Sequence, residues 1–530
     1  MDNQTTPISK NHRMGWILFP MIVEILILIL AALLRLWALD LKPAHFDEGI
    51  NGWFVDQMRD AGFYRYDPEN YHGPLYFYLL FLFLTLLGRN LWALRLPSVL
   101  SSIASVWMSL KFQRFFGGNA ARLGALALAV SPAAVFYGRY AIHESLVVLS
   151  MMITAWGVMG LWQSGGKREL AATVTGVTLL LLLKETAAIH LGCLVLAALS
   201  LFLWQKVVPS RPLLPMAKPS WSRRELYWYL GLSLLTLLFF YSGTFLNWGG
   251  VPDFAKAYIK WFHTGTSAGG HVKSDYQIGP LNYYWLSLMW HYEWLALLGL
   301  VYAVRLAFPA PPLQRYLAIY GLGVLIAYSI VPYKTPWCII SIIWPFSIFF
   351  GCAVQEIWQK YQGLRPLFLI LCSGLLVASL VKTISLNFRH FSDPLERYVY
   401  VQTLPGITVL TAPVLGVAER DPRNYAMNAQ IILESYYPLP WIFGDFTRIG
   451  YYEKEPPPNP LKGDFIVALT SQQKMVESRI KEPYLRRRFH LRDSMDECTV
   501  WFRESLFDQW FREPGHGKVE RVFPSTPKEK

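Results

Sequence analysis

The stretch Pro43-Ala44-His45-Phe46-Asp47-Glu48-Gly49-Ile50-Asn51 sets two adjacent carboxylates just past a long apolar run, Trp16 to Leu39. That run is long enough to cross a bilayer, and no small-residue cleavage site follows it. We therefore expect a membrane helix that is retained rather than cleaved as a signal peptide. The start of an active site would follow directly after it. The alternative is that Asp47 or Glu48 only caps the short amphipathic helix predicted by the apolar spacing of 47–62.

Composition favours a polytopic membrane protein over a soluble one, because 53% of the 530 residues are hydrophobic and only 16% are charged. The net charge of +13 could indicate a nucleic-acid partner. Its distribution argues against one, since many basic residues cluster in short loops between apolar runs, as the positive-inside rule expects. The five cysteines follow no disulfide or metal-binding spacing.

The hydropathy pattern predicts an α-helical polytopic membrane protein with about eleven transmembrane helices. The predicted spans are 16–39, 93–112, 119–137, 144–163, 169–183, 187–207, 226–246, 285–306, 316–331, 336–358 and 366–386. The run Leu75 to Leu87 is too short for a comfortable span and is interpreted as interfacial or re-entrant.

The placement of Leu75 to Leu87 decides the sidedness of everything after it. If the run lies on the surface, the basic loops all face the cytoplasm. The outer side of the plasma (inner) membrane then collects Asp47-Glu48, Arg139 to Glu144, Lys184-Glu185, the 247–284 loop, Lys334 and the C-terminal segment. If the run spans instead, the basic loops divide between both faces and Asp47 is separated from Glu144. We prefer the first arrangement.

The chain is expected to form two domains. Residues 1–386 would be the transmembrane domain, with a first external loop at 40–92 and another at 247–284. Residues 387–530 lack long apolar runs and would form a small extracytoplasmic α/β domain. Its β-like runs are Val399–Val401, Ile407–Leu410, Asp464–Leu469 and Thr499–Phe502, and a polar helix is predicted over Ser471–Lys481.

Several charged residues at the predicted outer edge could carry chemistry. Arg139, His143 and Glu144 stand together at a helix junction, where they could bind a phosphate and hold a metal or assist a base. The alternative is a snorkelling arginine beside a capping glutamate. Lys184-Glu185 could contact substrate or could form a salt bridge that satisfies itself.

Two further segments add candidates. The 247–284 loop contains His263, a glycine-rich run and His271, and its length suggests a lid or acceptor-binding loop. Both histidines could ligate a metal or could be ordinary surface residues. Lys334 lies between two prolines, where it could meet a lipid phosphate or make an ordinary headgroup contact. In the first external loop, His72-Gly73-Pro74 precedes the short apolar run.

Six motifs together resemble a known family. HFDEG, YHGPLYFYLL, LWALRLPSVL, FYGRYAIHESL, LLLKETAAI and PYKTPW look like the GT-C membrane glycosyltransferases of the dolichyl-phosphate-mannose protein mannosyltransferase type. Within that superfamily the chain looks closest to the bacterial and archaeal group labelled flippase-activity-associated proteins. The similarity runs over most of residues 15–400.

The resemblance implies residue roles and a GT-C fold. Asp47 would be the principal carboxylate, acting as base or orienting the acceptor, with Glu48 in support. Glu144, with Arg139, matches a second acidic position that is Asp in many relatives. His143 precedes it here, and a divalent metal ion at Asp47 or Glu144 is a candidate cofactor. The remaining implied substrate contacts are Lys184, Glu185 and Lys334, to which the loop histidines His72 and His271 are added.

The implied reaction is transfer of a sugar from a polyprenyl-phosphate donor to a protein, lipid or glycan acceptor. A carboxylate would take the acceptor proton, single displacement would invert the anomeric centre, and cations would stabilise the departing phosphate. The first rival is a lipid-linked sugar flippase or transporter, which needs charged or broken-helix positions at mid-membrane. The second is a non-catalytic accessory protein of glycan assembly.

Overall fold

The computed structural model describes residues 10–70, 72–207, 216–266, 283–308, 310–453 and 457–524. The chain forms two compact units. The first comprises Met1–Leu39 and Ala61–His390, and the second comprises Asp40–Asp60 and Phe391–Lys530. The stretch that carries Asp47 therefore packs with the second unit, although the first unit flanks it on both sides in sequence.

Helices account for nearly all regular structure up to residue 390. They are α1 Lys10–Leu36, α2 Phe46–Ala61, α3 Leu75–Leu87, α4 Leu91–Lys111, α5 Gln113–Phe116, α6 Gly118–Ala129, α7 Pro132–Gly138, α8 Glu144–Ser164, α9 Lys167–Leu183, α10 Ala187–Val207, α11 Arg223–Tyr241, α12 Gly250–Thr266, α13 Tyr284–Tyr292, α14 Trp294–Leu306, α15 Pro312–Ile330, α16 Ile339–Lys360 and α17 Arg365–Phe388.

Seven helical segments in the described part of the chain are long and apolar enough to cross a membrane, and the bent pair α6 and α7 would make eight. Peripheral segments expose their apolar side chains: only 11% of the apolar window at Gln362–Phe388 is buried, against 83% at Pro336–Lys360. Such a large exposed apolar surface matches a lipid environment. The protein is a multi-pass membrane protein. All eleven predicted spans overlap helices, although α9, α11 and the pair α13–α14 are not among the seven.

At the bend between α6 and α7, side chains of the first unit form hydrogen bonds with backbone groups that the helix break leaves unpaired. The two helices meet at 58° around Val130 and Ser131. The Val130 carbonyl accepts hydrogen bonds from the hydroxyls of Ser379 (3.0 Å) and Thr383 (2.6 Å). The buried Glu293 carboxylate accepts from the Ser131 hydroxyl and the Ala133 amide, both at 2.7 Å. Polar side chains thus replace the missing helical hydrogen bonds, as a low-dielectric surrounding demands.

Glycines let core helices of the first unit approach closely. A Cβ at Gly351 of α16 would lie 2.0 Å from the carbonyl oxygen of Ala120 on α6, and one at Gly124 would lie 2.8 Å from the Ile348 Cα. Small residues at such crossings bring backbones into van der Waals contact, which drives helix association in membranes.

The second unit contains a six-stranded mixed sheet in the order β2-β1-β3-β5-β4-β6. Strands β1, β2 and β3 are parallel, and β5, β4 and β6 join antiparallel. The bounds are β1 Asn428–Ile432, β2 Arg448–Tyr451, β3 Phe465–Leu469, β4 Tyr484–Phe489, β5 Cys498–Arg503 and β6 Glu520–Val522, with helices α18 Thr408–Arg420, α19 Leu439–Ile442, α20 Gln473–Arg479 and α21 Glu504–Arg512.

The central strand β3 is buried on both faces of the sheet, which accounts for its continuous apolar sequence. Phe465 and Val467 enter the apolar cluster on one face of the sheet, and Ile466 and Ala468 enter the cluster on the other. A strand buried on both faces reads as a continuous apolar run rather than an alternating one. The predicted strands at Asp464–Leu469 and Thr499–Phe502 and the predicted polar helix are confirmed.

Two predicted strands are wrong. Residues 399–401 form no strand, and Ile407–Leu410 ends a 3-10 turn and begins α18. Pro405 opens that turn with a backbone angle suited to a helix start. Ile407, Leu410 and Val414 then bury one helical face in the sheet's core, so tertiary packing overrides the β propensity of the run.

We predict that Gly351→Leu lowers the melting temperature of the detergent-solubilised protein, because the added side chain must push α6 from α16. Overpacking of this kind costs about 1–3 kcal/mol or more. Gly374→Leu on α17 is the matched control, since nothing lies within 4 Å of a Cβ there. Equal melting temperatures for the two variants would contradict the tight α6–α16 contact.

Candidate functional site

A buried ion pair stands at the centre of the polar cluster in the first unit. The Lys184 ammonium, at the end of α9, donates to the carboxylate of Glu144, in the first turn of α8. Both side chains are nearly inaccessible, at 9% and 5% exposure. The two residues lie 40 positions apart in sequence and meet because α8 and α9 form an antiparallel hairpin. A negative charge at a helix N-terminus is also favoured by the helix dipole.

A second carboxylate in this cluster holds a histidine. His72 Nδ1 lies 3.1 Å from Glu185 Oε2, and the histidine side chain keeps 26% of its surface exposed. The loop is locked there, because the Gly73 amide donates to the Leu183 carbonyl at 3.0 Å. Any Cβ at Gly73 would lie 2.1 Å from the Leu182 oxygen, which explains the glycine after His72.

His143 links these two pairs. Its ring lies 4.8 Å from the His72 ring and 4.3 Å from the Tyr76 ring, centroid to centroid. The side chain is buried, and its Nε2 has no hydrogen-bond partner among the described residues. A buried polar atom without a partner is uncommon and calls for a ligand, a water or a proton-transfer role.

Lys334 lies between α15 and α16, outside the membrane-spanning segments. Its side chain is buried, and the ammonium donates to the carbonyls of Ser329 (3.1 Å) and Val331. In the described part of the chain no carboxylate pairs with it. Burial lowers the pKa of Lys334 to about 8. This is a buried cation whose neighbours supply partial negative charge but no counter-ion.

Arg139 is held by backbone at the end of α1. Its Nη1 donates to the carbonyls of Trp37 (2.6 Å) and Arg35 (3.1 Å), and its Nη2 donates to the carbonyl of Ala38 at 2.6 Å. The guanidinium also lies over the Phe388 ring. These contacts satisfy the orphan carbonyls of the helix terminus. They give Arg139 a structural task, and its predicted contact with substrate stays a prediction.

Asp47 and Glu48 belong to the second unit and differ sharply in exposure. Glu48 is fully buried, and its Oε2 accepts from the His45 amide at 2.8 Å, the return bond of a helix N-cap. The Asp47 side chain keeps 31% of its surface exposed. The capping alternative therefore fits Glu48, while Asp47 is the carboxylate that solvent can reach.

His45 is neutral in this arrangement. Its Nε2 lies 2.7 Å from the Tyr400 carbonyl, which can only accept, so Nε2 carries the proton. Its Nδ1 accepts from the Asp47 amide at 3.1 Å. The 3.9 Å separation between His45 Nδ1 and Asp47 Oδ2 is therefore no ion pair.

Helix α2 is fixed to the second unit through its glycines and through Arg492. A Cβ at Gly49 would lie 2.4 Å from the Pro438 Cα, and one at Gly52 would lie 2.2 Å from the Trp441 ring. The buried Arg492 guanidinium lies over the Phe46 ring at 4.8 Å. Burial lowers the pKa of Arg492 to about 10, and nearby Asp47 opposes that shift.

The structure brings five predicted site residues together in the first unit: His72, His143, Glu144, Lys184 and Glu185. His271 lies outside the described residues. His263 is exposed near the end of α12. Among the described residues no three His, Cys, Asp or Glu side chains form a metal site. A divalent ion at Asp47 or Glu144 would thus need further ligands from water or from substrate phosphate, as Mg²⁺ often takes.

Sequence reasoning missed several neighbours of these residues. Tyr76 was read as part of a short apolar run, although its ring packs on His143. His190 was not among the candidates, although it is buried and its Nε2 lies 3.2 Å from the Tyr328 hydroxyl. Nothing in the linear sequence links His190 to Tyr328 or Arg492 to Asp47.

Comparison with known proteins identifies the architecture. Residues 71–217 match the family model described as dolichyl-phosphate-mannose-protein mannosyltransferase. The crystal structure of ArnT from Cupriavidus metallidurans bound to undecaprenyl phosphate superimposes with a TM-score of 0.59 at 15% identity, over 93% of this chain and 99% of that one. The chain has the GT-C fold. The family match covers 71–217, and the structural likeness extends over the whole fold.

Two further solved structures were found. ArnT in the apo state gives a TM-score of 0.56 at 14% identity, over 93% of this chain and 99% of that chain. The oligosaccharyltransferase of Archaeoglobus fulgidus gives 0.49 at 11% identity, over 89% and 73%. No curated protein matches the sequence. The family match spans the polar cluster of the first unit but neither Asp47 nor Lys334.

We predict that Lys184→Met destabilises the protein by about 3–5 kcal/mol, because it leaves the Glu144 carboxylate buried without a partner. The double variant Lys184→Met with Glu144→Leu should recover most of that loss. Reversible unfolding in mixed micelles measures the free energy. Asp253→Asn, which breaks the exposed Asp253–Lys256 pair (2.7 Å), is the control and should cost at most about 1 kcal/mol. A single variant as stable as the double would contradict a buried ion pair.

Proposed function

We propose that this GT-C protein is an inverting glycosyltransferase that moves a sugar from a polyprenyl-phosphate donor to an acceptor at the outer face of the membrane. The observation that carries the proposal is Lys334. Its buried ammonium has two carbonyl partners and no counter-ion in the described chain. Keeping a cation buried in this way is costly unless an anion completes the site.

The anion that fits is a phosphate on a membrane lipid. Lys334 lies in the short connection between two apolar helices, α15 and α16. A group carried by a lipid can therefore reach it without leaving the bilayer. ArnT, which shares the fold, was crystallised with undecaprenyl phosphate. A lysine also serves phosphate as a point charge without demanding a fixed geometry. These points support a polyprenyl-phosphate donor for this chain.

Asp47 is proposed as the base. The acceptor hydroxyl or amine attacks the anomeric carbon, its proton passes to the Asp47 carboxylate, and the bond from that carbon to the phosphate oxygen breaks. The lipid phosphate leaves with both bonding electrons, and Lys334 stabilises its charge. Asp47 suits this role because its side chain is partly exposed, whereas the buried Glu48 caps α2.

The polar cluster of the first unit is proposed to contact the donor or acceptor. His72 and Glu185 offer a hydrogen-bonding pair at a partly exposed position, and His143 adds a buried nitrogen that lacks a partner among the described residues. The Glu144–Lys184 pair fixes the ends of α8 and α9 that carry them. A divalent ion, if bound at Asp47 or Glu144, would supply further charge for the phosphate.

We predict that the purified protein in lipid vesicles transfers radiolabelled sugar from at least one polyprenyl-phosphate sugar. Asp47→Asn should remove nearly all transfer, since a general base contributes about 10²–10⁴-fold. Lys334→Met should chiefly weaken use of the donor. Asp60→Asn on the exposed side of α2 and Lys360→Met at the end of α16 are matched controls and should leave transfer unchanged.

Two outcomes would contradict this proposal. Undiminished turnover by a folded Asp47→Asn protein would exclude this carboxylate as the base. Failure of wild type to transfer from any donor, together with movement of the lipid-linked sugar between leaflets, would favour the flippase alternative.

A further inference from the structure

Helix α12, Gly250–Thr266, carries two parallel stripes on its outward side. Ala255, Ile259 and Phe262 recur at spacings of four and three and are all exposed, Ile259 at 62% and Phe262 at 64%. Lys256, Lys260 and His263 form a second exposed stripe one position further along. Residues three and four apart lie on the same helical face, so an apolar stripe runs beside a basic one.

The apolar stripe is not the face that attaches α12 to the first unit. The opposite face does that: Ala257 is buried, and the Phe254 ring packs on the Tyr241 ring at 4.6 Å between centroids. The apolar surface of Ile259 and Phe262 therefore takes no part in attaching α12 to the first unit. Single exposed apolar residues are common in proteins, but an aligned stripe indicates an interaction surface.

Exposed apolar side chains also occur in the two elements that precede α12 in sequence. The turn before it exposes Phe245, Leu246 and Trp248, and Leu246 is 68% exposed. The Phe245 and Trp248 rings stack at 5.8 Å. Before that turn, α11 exposes Leu232 and Leu235. An apolar helix surface, an aromatic turn and an amphipathic helix follow one another, which is the order met at a membrane boundary.

We propose that α12 lies in the membrane interface, with Ile259 and Phe262 at the boundary between headgroups and acyl chains. Lys256 and Lys260 would rest at the level of the lipid phosphates. Their charges are already matched, by Asp253 at 2.7 Å and by Glu69 at 2.5 Å. Burial of the apolar stripe, rather than attraction to anionic lipid, therefore holds the helix, and the docking does not depend on a particular headgroup.

This inference assigns a lipid-facing surface to a segment that the sequence predicted as an external lid or acceptor loop. It does not depend on the proposed reaction, because it uses only the exposure of α12 and its neighbours. A folded protein partner could also cover the stripe. The exposed apolar side chains in the two preceding elements favour the bilayer.

The test is the depth of nitroxide labels in the full-length protein reconstituted into phosphatidylcholine and phosphatidylglycerol vesicles. Single cysteines replace Ile259, Phe262, Lys256 or His263 in a Cys372→Ala background, because the other four native cysteines are buried. The ratio of oxygen accessibility to nickel-chelate accessibility should be several-fold higher at 259 and 262 than at 256 and 263.

Two results would overturn the proposal. Equal, high accessibility to the nickel chelate at all four positions would place α12 in water. Low accessibility to both oxygen and nickel at 259 and 262 would mean that protein covers the stripe. The labels at 256 and 263 lie on the same helix and give the water-exposed reference value in each preparation.

Discussion

Every charge buried in the helical unit must be compensated without bulk water, and much of the structure follows from that constraint. The Arg35 guanidinium donates hydrogen bonds to the Ser102 hydroxyl and to the carbonyls of Leu128 and Ala129, which lie just before the α6–α7 bend. Arg139 serves the last carbonyls of α1 in the same way. These arginines thus stabilise helix ends and breaks that lipid could not satisfy.

Lys334 and the Glu144–Lys184 pair differ in how their buried charges are compensated. Lys184 meets a carboxylate, so its burial is balanced within the protein. Among the described residues, Lys334 donates to backbone carbonyls and meets no carboxylate, so its charge is balanced only in part there. This partial compensation at Lys334 is the reason for proposing an external anion as its partner. This contrast, rather than the number of charged residues, supports a phosphate-bearing substrate.

The helical architecture could be predicted from sequence because a bilayer imposes length and hydropathy on each span. The eleven predicted runs all overlap helices. The prediction failed where tertiary packing decides, as at Ile407–Leu410, whose β-branched residues pack as the start of a helix. It also could not see that residues 40–60 pack with a unit that begins 330 residues later. The glycines at 49 and 52 carry that information, but only once their partners Pro438 and Trp441 are known.

The candidate site, like the fold, could be predicted from the sequence only in part. Adjacent residues such as His143-Glu144 and Lys184-Glu185 stood out as charges at helix ends, and the structure brings them together. Which of two neighbouring carboxylates is available could not be read from sequence. Asp47 and Glu48 share the same local pattern, and they are separated in the structure by the burial of Glu48 and by its contact with the His45 amide. Likewise, the carbonyls of Trp37 and Ala38 that bind Arg139 lie just after α1, about one hundred residues earlier.

The most direct test of the account is the ionisation of Lys334 measured by NMR of ¹³C-dimethylated lysines, with Lys334→Arg to assign its signal. Burial lowers this pKa to about 8, so the amine is charged below that pH and loses its charge above it. A bound phosphate favours the charged form. We predict a pKa near 8 for the protein alone and a clear rise when polyprenyl phosphate is added. A pKa that does not move with the lipid phosphate would contradict an anion site at Lys334.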